Sequence, residues 1–268
     1  MKRISLILVF AMLAALTSAA QEKPKTEATG KAEAPKAEAP KADAKAEALP
    51  TTDNILDNYV KAVGGKEALE KITSRSMKGS FDVEAFGVTG APVEMFSKAP
   101  NKSSMKIDIT GFGVVNRVFN GANGWSLDPM GGLRELNGSE LAQMKRASDF
   151  YQELNYKKLY AKMEVKGKEK VGSSEAYVIE AIPSEGSTEK LYFDVNTKLL
   201  VRHDAENETP DGKVMMESYM EDYKDVDGVK IPHKVRQVSS MMTIVVKITE
   251  VKTNVEIDDA KFNKPSGN

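Results

Sequence analysis

Two histidines and no cysteine leave this chain little with which to build a metal centre or an activated nucleophile. His203 and His233 stand far apart in the sequence, outside the close His or Cys pairs that zinc sites draw on, and no HExxH pattern occurs. Without a thiol there is neither a cysteine nucleophile nor a disulfide. The acidic pairs Glu221-Asp222 and Asp258-Asp259 could in principle hold calcium or move protons, but carboxylates beside turn residues are most simply solvated charge. An EF-hand loop, a GxSxG elbow, a phosphate-binding loop and a dinucleotide fingerprint are all missing. Dispersed carboxylates such as Glu94, Asp108 and Glu217 would be the one remaining route to a hydrolase. The residues therefore nominate no catalytic group, no metal ligand and no cofactor, and the expectation is a protein that is not an enzyme.

Apolar side chains are better represented. Thirteen methionines occur, and Met215, Met216, Met220, Met241 and Met242 crowd into the later part of the chain. Thioethers adapt to irregular apolar neighbours, so they suit core filling and equally suit the wall of a lipid-sized cavity. On the cavity reading the candidate wall residues are Phe81, Val83, Met95, Met105, Ile107, Trp125, Leu141, Met144, Met242, Ile244 and Val246.

The elements that must position these residues follow from periodicity. Ile55, Leu56, Tyr59, Val60 and Val63 recur at helical spacing, with Thr52 or Asp53 as the cap and Gly64-Gly65 as the stop. A second short helix carries Ala68, Leu69 and Ile72, and near Ser74 the period changes to two. Met77, Phe81 and Val83 share one strand face, as do Met105, Ile107 and Ile109; later runs through Tyr177, Leu191 and Met242 alternate in the same way. Asp227-Gly228 is a dipeptide favoured in two-residue hairpins. One helical interruption, from 139 to about 154, carries Leu141, Met144, Tyr151 and Leu154 and should lie across the sheet. The expected fold is mainly β (α+β). It is a strongly curved antiparallel sheet or incomplete β-barrel of about ten to eleven strands, with helices covering the open side.

Three segments make up the chain on this reading. Residues 1–20 have the form of a signal peptide: Lys2 and Arg3 precede an apolar run over 4–16, and Ser18-Ala19-Ala20 offers a cleavage site. Residues 21–50 form a linker rich in Lys, Ala, Glu and Pro, with six basic and six acidic side chains and no apolar face. Residues 51–268 are the folded domain. Loss of Lys2 and Arg3 takes the formal charge from −1 to −3, which provides no basic field for nucleic acid. The expected location is the periplasm or cell envelope.

Short motifs in the folded part resemble the bacterial lipoprotein-sorting carriers and their outer-membrane receptor relatives. FNGANGWSLDP over 119–129 resembles the family's glycine, tryptophan and Asp/Asn-Pro strand-turn segment, with Trp125 at the tryptophan and Asp128 and Pro129 at the turn. VEMFSKAPNK over 93–102 resembles the strand ending in a Pro-Asn turn, and VEIDDAKFNKP over 255–265 resembles the closing Asp-Ala-x-Phe segment. The later segments at 192–202 and 221–236 fit paired late strands of the same superfamily. The resemblance implies an incomplete antiparallel barrel with helices over its mouth, enclosing an apolar cavity that receives lipoprotein acyl chains. It implies Trp125 as a wall residue. Where the carriers have Arg-Pro, this chain has Ala99-Pro100. That family arginine latches the helical lid, which Ala99 cannot do, and Lys98 points to the other strand face.

Together these readings lead to a non-enzymatic envelope protein that binds an acyl chain or another apolar ligand, with peripheral membrane contact and an envelope protein as further partners. The alternatives are a scaffold or sensor module that binds a protein without lipid cargo, and a hydrolase built on dispersed carboxylates.

Overall fold

The computed structural model describes residues 48–209 and 212–266. The expected signal peptide, and the expected linker up to residue 47, lie outside the described residues.

Helix α1 (Thr52–Ala62) buries Ile55, Leu56 and Tyr59, as its periodicity requires. Its cap is Thr51, not Thr52 or Asp53: Thr51 is still extended, so its hydroxyl can turn back and accept from the Asn54 amide at 3.2 Å. After Gly64-Gly65 the chain forms α2 (Lys66–Lys71) and then enters the first strand at the expected Ser74.

Six strands follow: β1 (Ser74–Val83), β2 (Val88–Lys98), β3 (Lys102–Ile109), β4 (Gly113–Phe119), β5 (Gly124–Asp128) and β6 (Gly132–Glu135). Two helices interrupt them, α3 (Gly138–Ala147) and α4 (Gln152–Leu159). The second run is β7 (Lys162–Val171), β8 (Ser174–Ile182), β9 (Glu189–Asp194), β10 (Leu200–Thr209), β11 (Gly212–Val226), β12 (Val229–Val238) and β13 (Thr243–Thr253). Each run is a meander of antiparallel neighbours. The last strand, β13, pairs with β1 and joins the two runs into one 13-stranded sheet of order β6-β5-β4-β3-β2-β1-β13-β12-β11-β10-β9-β8-β7. The count exceeds the ten to eleven expected, because strands as short as the four residues of β6 are too brief to show alternation.

Among the described residues β6 and β7 do not pair with each other, so the sheet is open and not a closed barrel. It is nonetheless bent. Strands β4 and β10 stand seven places apart, about 34 Å if the sheet were flat, yet Arg117 of one and His203 of the other border the same cavity. The sheet must wrap around that space.

The helical interruption, expected as one helix over 139–154, is two helices. The Phe150 amide donates to the Pro100 carbonyl at 2.9 Å in the β2–β3 turn and is lost to a continuing helix. The Asp149 carboxylate accepts from the Tyr151 amide at 2.9 Å and from Asn155 Nδ2 at 3.0 Å, a local alternative to helical bonding.

Two close backbone approaches fix how the pieces meet. Asp227 and Gly228 adopt φ of 52° and 81° in the expected hairpin, and a Cβ at Gly64 would come within 2.1 Å of the Gly228 carbonyl oxygen. The α1–α2 corner therefore rests directly on the β11–β12 turn. At Gly79, beside the β-bulge between β1 and β13, a Cβ would meet the Lys247 oxygen at 1.9 Å.

The buried apolar residues form two large groups. One packs α1, α2 and α4 on β8, β9 and β12 through Tyr59, Tyr156, Ile179, Phe193 and Ile231. The other fills one end of the sheet around Phe81, Val93, Ile107 and Ile244.

Candidate functional site: a cavity between the sheet and helices α3 and α4

A cavity of about 520 Å³ separates the inner sheet face from α3 and α4. Its apolar wall is set by strand register. Met77 pairs with Met95 and Met95 with Met105, so three thioethers form one row across β1, β2 and β3. Phe81 pairs with Val246, and Val246 with Val235, extending the apolar surface over β13 and β12. Met144 faces them from α3.

Of the residues expected at the wall, Phe81, Met95, Met105, Met144 and Val246 border this cavity. Val83, Ile107, Met242 and Ile244 do not; they lie in the core at one end of the sheet, where Phe86, Phe112 and Met241 from the adjoining turns fill the space over them. Leu141 packs beside Leu136 over Gly124, away from the opening. Trp125 stands on the other sheet face. It pairs with Val118, the neighbour of the cavity-lining Arg117, and successive strand residues point to opposite sides. There it packs with Ile257 and Phe262 of the closing segment, its indole Nε1 buried without an acceptor. That segment is held down by Asp259, which Lys98 and Lys102 approach at 2.9 and 3.3 Å. Asp128 forms the expected turn, accepting from the Met130 and Gly131 amides.

Sequence reasoning missed the ionisable groups of the cavity. Glu189 at the start of β9 is 3% exposed and is the hub for three other side chains. Its Oε1 accepts from Arg146 Nη2 of α3 at 2.7 Å; its Oε2 accepts from the Tyr160 hydroxyl at 2.5 Å, just beyond α4, and lies 2.8 Å from His203 Nε2 of β10. Burial alone would push the Glu189 carboxyl up. Hydrogen bonds from His203, Tyr160 and Arg146, together with the charge at His203, outweigh it and hold the carboxyl at about 2. Burial pushes the Tyr160 phenol well up, and Glu189 adds to that.

Arg75, Arg117 and Glu153 also border the cavity. Burial holds both guanidiniums below their ordinary range, with nearby carboxylates opposing it, and pushes Glu153 up against the pull of Arg75. The available signal was phase: Arg75 shares the strand parity of Met77, Arg117 that of Val115 and Phe119, and Glu189 that of Leu191 and Phe193. A charge in the inward phase of a strand is the mark of a lined cavity or a buried pair.

The dispersed carboxylates weighed as hydrolytic groups are elsewhere. Glu94 lies 3.5 Å from Lys78, Asp108 is exposed, and Glu217 pairs with Arg202 at 2.6 Å. None borders the cavity. His233 is buried with its Nδ1 2.9 Å from the Ile231 carbonyl. No group of three or more His, Asp or Glu among the described residues is placed to hold a metal ion, and no helix among them is long and apolar enough to cross a membrane.

No protein-family model matches the chain. No curated protein sequence matches it either. Solved structures do. A DUF1329 family protein from Desulfovibrio piger superposes with a TM-score of 0.53 at 14% identity, over 79% of this chain and 96% of the other. A LolA superfamily protein from Nitrosomonas europaea gives 0.53 at 12%, over 81% and 99%. A domain described as outer membrane lipoprotein-sorting from Vibrio parahaemolyticus gives 0.53 at 10%, over 79% and 97%. At such identities the likeness is one of fold, and the fold of this chain is the one seen in LolA superfamily and lipoprotein-sorting domains, the group its strand-turn segments resemble.

Proposed function

We propose that the protein is a non-enzymatic cell-envelope protein that takes an acyl chain or similar apolar ligand into the cavity between its sheet and helices α3 and α4. The observation that carries this reading is the cavity itself: about 520 Å³, with a methionine row and Phe81 on its sheet wall. Small-ligand pockets occupy roughly 300–1,000 Å³, so the space is of the right size. Each methylene removed from water contributes about 0.8 kcal/mol, and ten of them about 8 kcal/mol before ordering costs. Thioether side chains can re-pack around tails of different shape. Export fits the reading: Lys2 and Arg3 before the apolar run over 4–16 have the form of a secretory signal, and the linker over 21–50 would separate the domain over 51–268 from it.

The test is detergent-free purification of the exported protein, followed by organic extraction and mass spectrometry, with displacement of a fluorescent fatty acid as the second readout. An amphiphile that co-purifies and competes with the probe supports the reading. A protein that is empty and ignores the probe overturns it.

A further inference from the structure

Hydrocarbon alone does not account for this cavity, because its wall carries three guanidiniums, Arg75, Arg117 and Arg146, against two carboxylates, Glu153 and Glu189. Two of the three guanidiniums are engaged. Arg146 pairs with Glu189 at 2.7 Å. Arg117 reaches Glu140 at 3.3 Å, a carboxylate that Arg134 also grips at 2.6 and 2.7 Å. Arg75 differs. Among the described residues its side chain forms no hydrogen bond and no ion pair, Glu153 acting on it only through its charge; the buried Nε without an acceptor it shares with Arg146. Its guanidinium carbon stands 5.4 Å from the centre of the Phe150 ring, so an aromatic face supports the planar group without satisfying its donors.

A half-buried guanidinium with a buried, idle donor costs stability unless something else completes it. Arg presents a planar fork that matches a carboxylate or phosphate better than any other cation in a protein. The surroundings favour an anion with a tail. Two residues along β1 from Arg75 the methionine row begins, at Met77, and Phe81 lies further along the same strand face. Glu153 and Glu189 on the same wall, and Asp149 beside Glu153, could oppose an anion; Glu189 is already held by Arg146, Tyr160 and His203. Burial pushes the Glu153 carboxyl up, against the pull of Arg75.

Resting on the acyl-chain reading above, we infer that the ligand is a single-chain amphiphile with an anionic oxyacid head, which Arg75 binds inside the cavity while the tail lies on Met77, Met95 and Phe81. The head is a carboxylate or a phosphate monoester, and both satisfy the same fork.

The experiment measures dissociation constants of laurate, dodecyl phosphate, 1-dodecanol and dodecyltrimethylammonium for the delipidated full chain by fluorescent-probe displacement. The expected result is that the better of the two anions binds at least about tenfold tighter than dodecanol, the scale of one charge-assisted hydrogen-bonded contact. Which anion leads identifies the head. In Arg75→Gln the preference for the anion should fall below about threefold with dodecanol affinity kept, and Arg75→Lys should retain part of the preference. Equal binding of anion and alcohol by the unaltered protein overturns this inference and leaves the acyl-chain reading standing, and tightest binding of the cationic amphiphile does the same. Failure of all four to bind overturns both. The comparison within the unaltered protein decides the matter even if Arg75→Gln fails to fold, and a preference that survives in a folded Arg75→Gln overturns the role of Arg75.

Discussion

Arg146 Nη2 lies 2.7 Å from Glu189 Oε1, and this contact ties helix α3 to strand β9 across 43 residues of sequence. The same carboxylate receives the Tyr160 hydroxyl from just beyond α4, so both helices over the cavity are anchored to the sheet at one side chain. Ala99 is half-buried against the core, and the Phe150–Pro100 backbone bond lies immediately beside it.

Removing one partner of this pair should cost more than removing both. Arg146→Met leaves Glu189 buried with only Tyr160 and His203, and is expected to destabilise the fold by about 3 kcal/mol. Arg146→Met combined with Glu189→Leu should be less destabilised than the two single changes added together. Urea denaturation of the four proteins at pH 7 completes the cycle; strict additivity would show the contact to be uncoupled.

The Glu189 carboxyl also predicts a pH dependence. Its folded-state value of about 2 lies below the ordinary 4.5, so the folded protein binds the proton less readily than the unfolded chain. The resulting stability is fully present above about pH 4.5 and is lost as pH falls toward 2, amounting to about 3 kcal/mol. The advantage of the unaltered protein over Glu189→Gln in denaturant midpoint should therefore shrink as pH falls from 5 toward 3. A gap that stays constant down to pH 3 would contradict the assignment.

Gly79→Ala tests the bulge where the two strand runs join. The new Cβ would sit 1.9 Å from a backbone oxygen, which no side-chain rotation can relieve. A loss of about 3 kcal/mol or more, or failure to fold, is expected. Gly87→Ala is the comparison: that glycine has φ of 66° but no atom within 4 Å of the added carbon, so only the smaller left-handed backbone cost of about 1 kcal/mol applies. Thermal unfolding of the two variants should separate them clearly.

The methionine row can be made polar without refilling the core. Met95→Gln with Met105→Gln keeps side-chain length on a half-buried wall, so the melting temperature should move little. Affinity for a fluorescent fatty acid should fall by about 1–3 kcal/mol. Unchanged affinity in a folded double variant would place the tail elsewhere.

What the sequence determined by itself was local. Alternation near Ser74 gave the onset of β1, Asp227-Gly228 gave the hairpin with its two positive φ angles, and the spacing of Ile55, Leu56 and Tyr59 gave α1. Each is decided by residues within one or two turns of the chain, where side-chain period and backbone preference act directly. Tertiary structure decided which apolar residues border the cavity. Met105 and Ile107 share one face of β3, yet the first meets open space and the second is covered by Phe112 of the next turn together with Phe86 and Met241 from turns further off in sequence. Trp125 fell on the far face because β5 pairs with β4 in the register that sets it opposite Val118. The gathering of Arg146, Tyr160, Glu189 and His203 required α3 and the end of α4 to dock over the neighbouring strands β9 and β10. Alternation tells which side of a strand a residue takes, but what stands over that side depends on how the whole sheet curves.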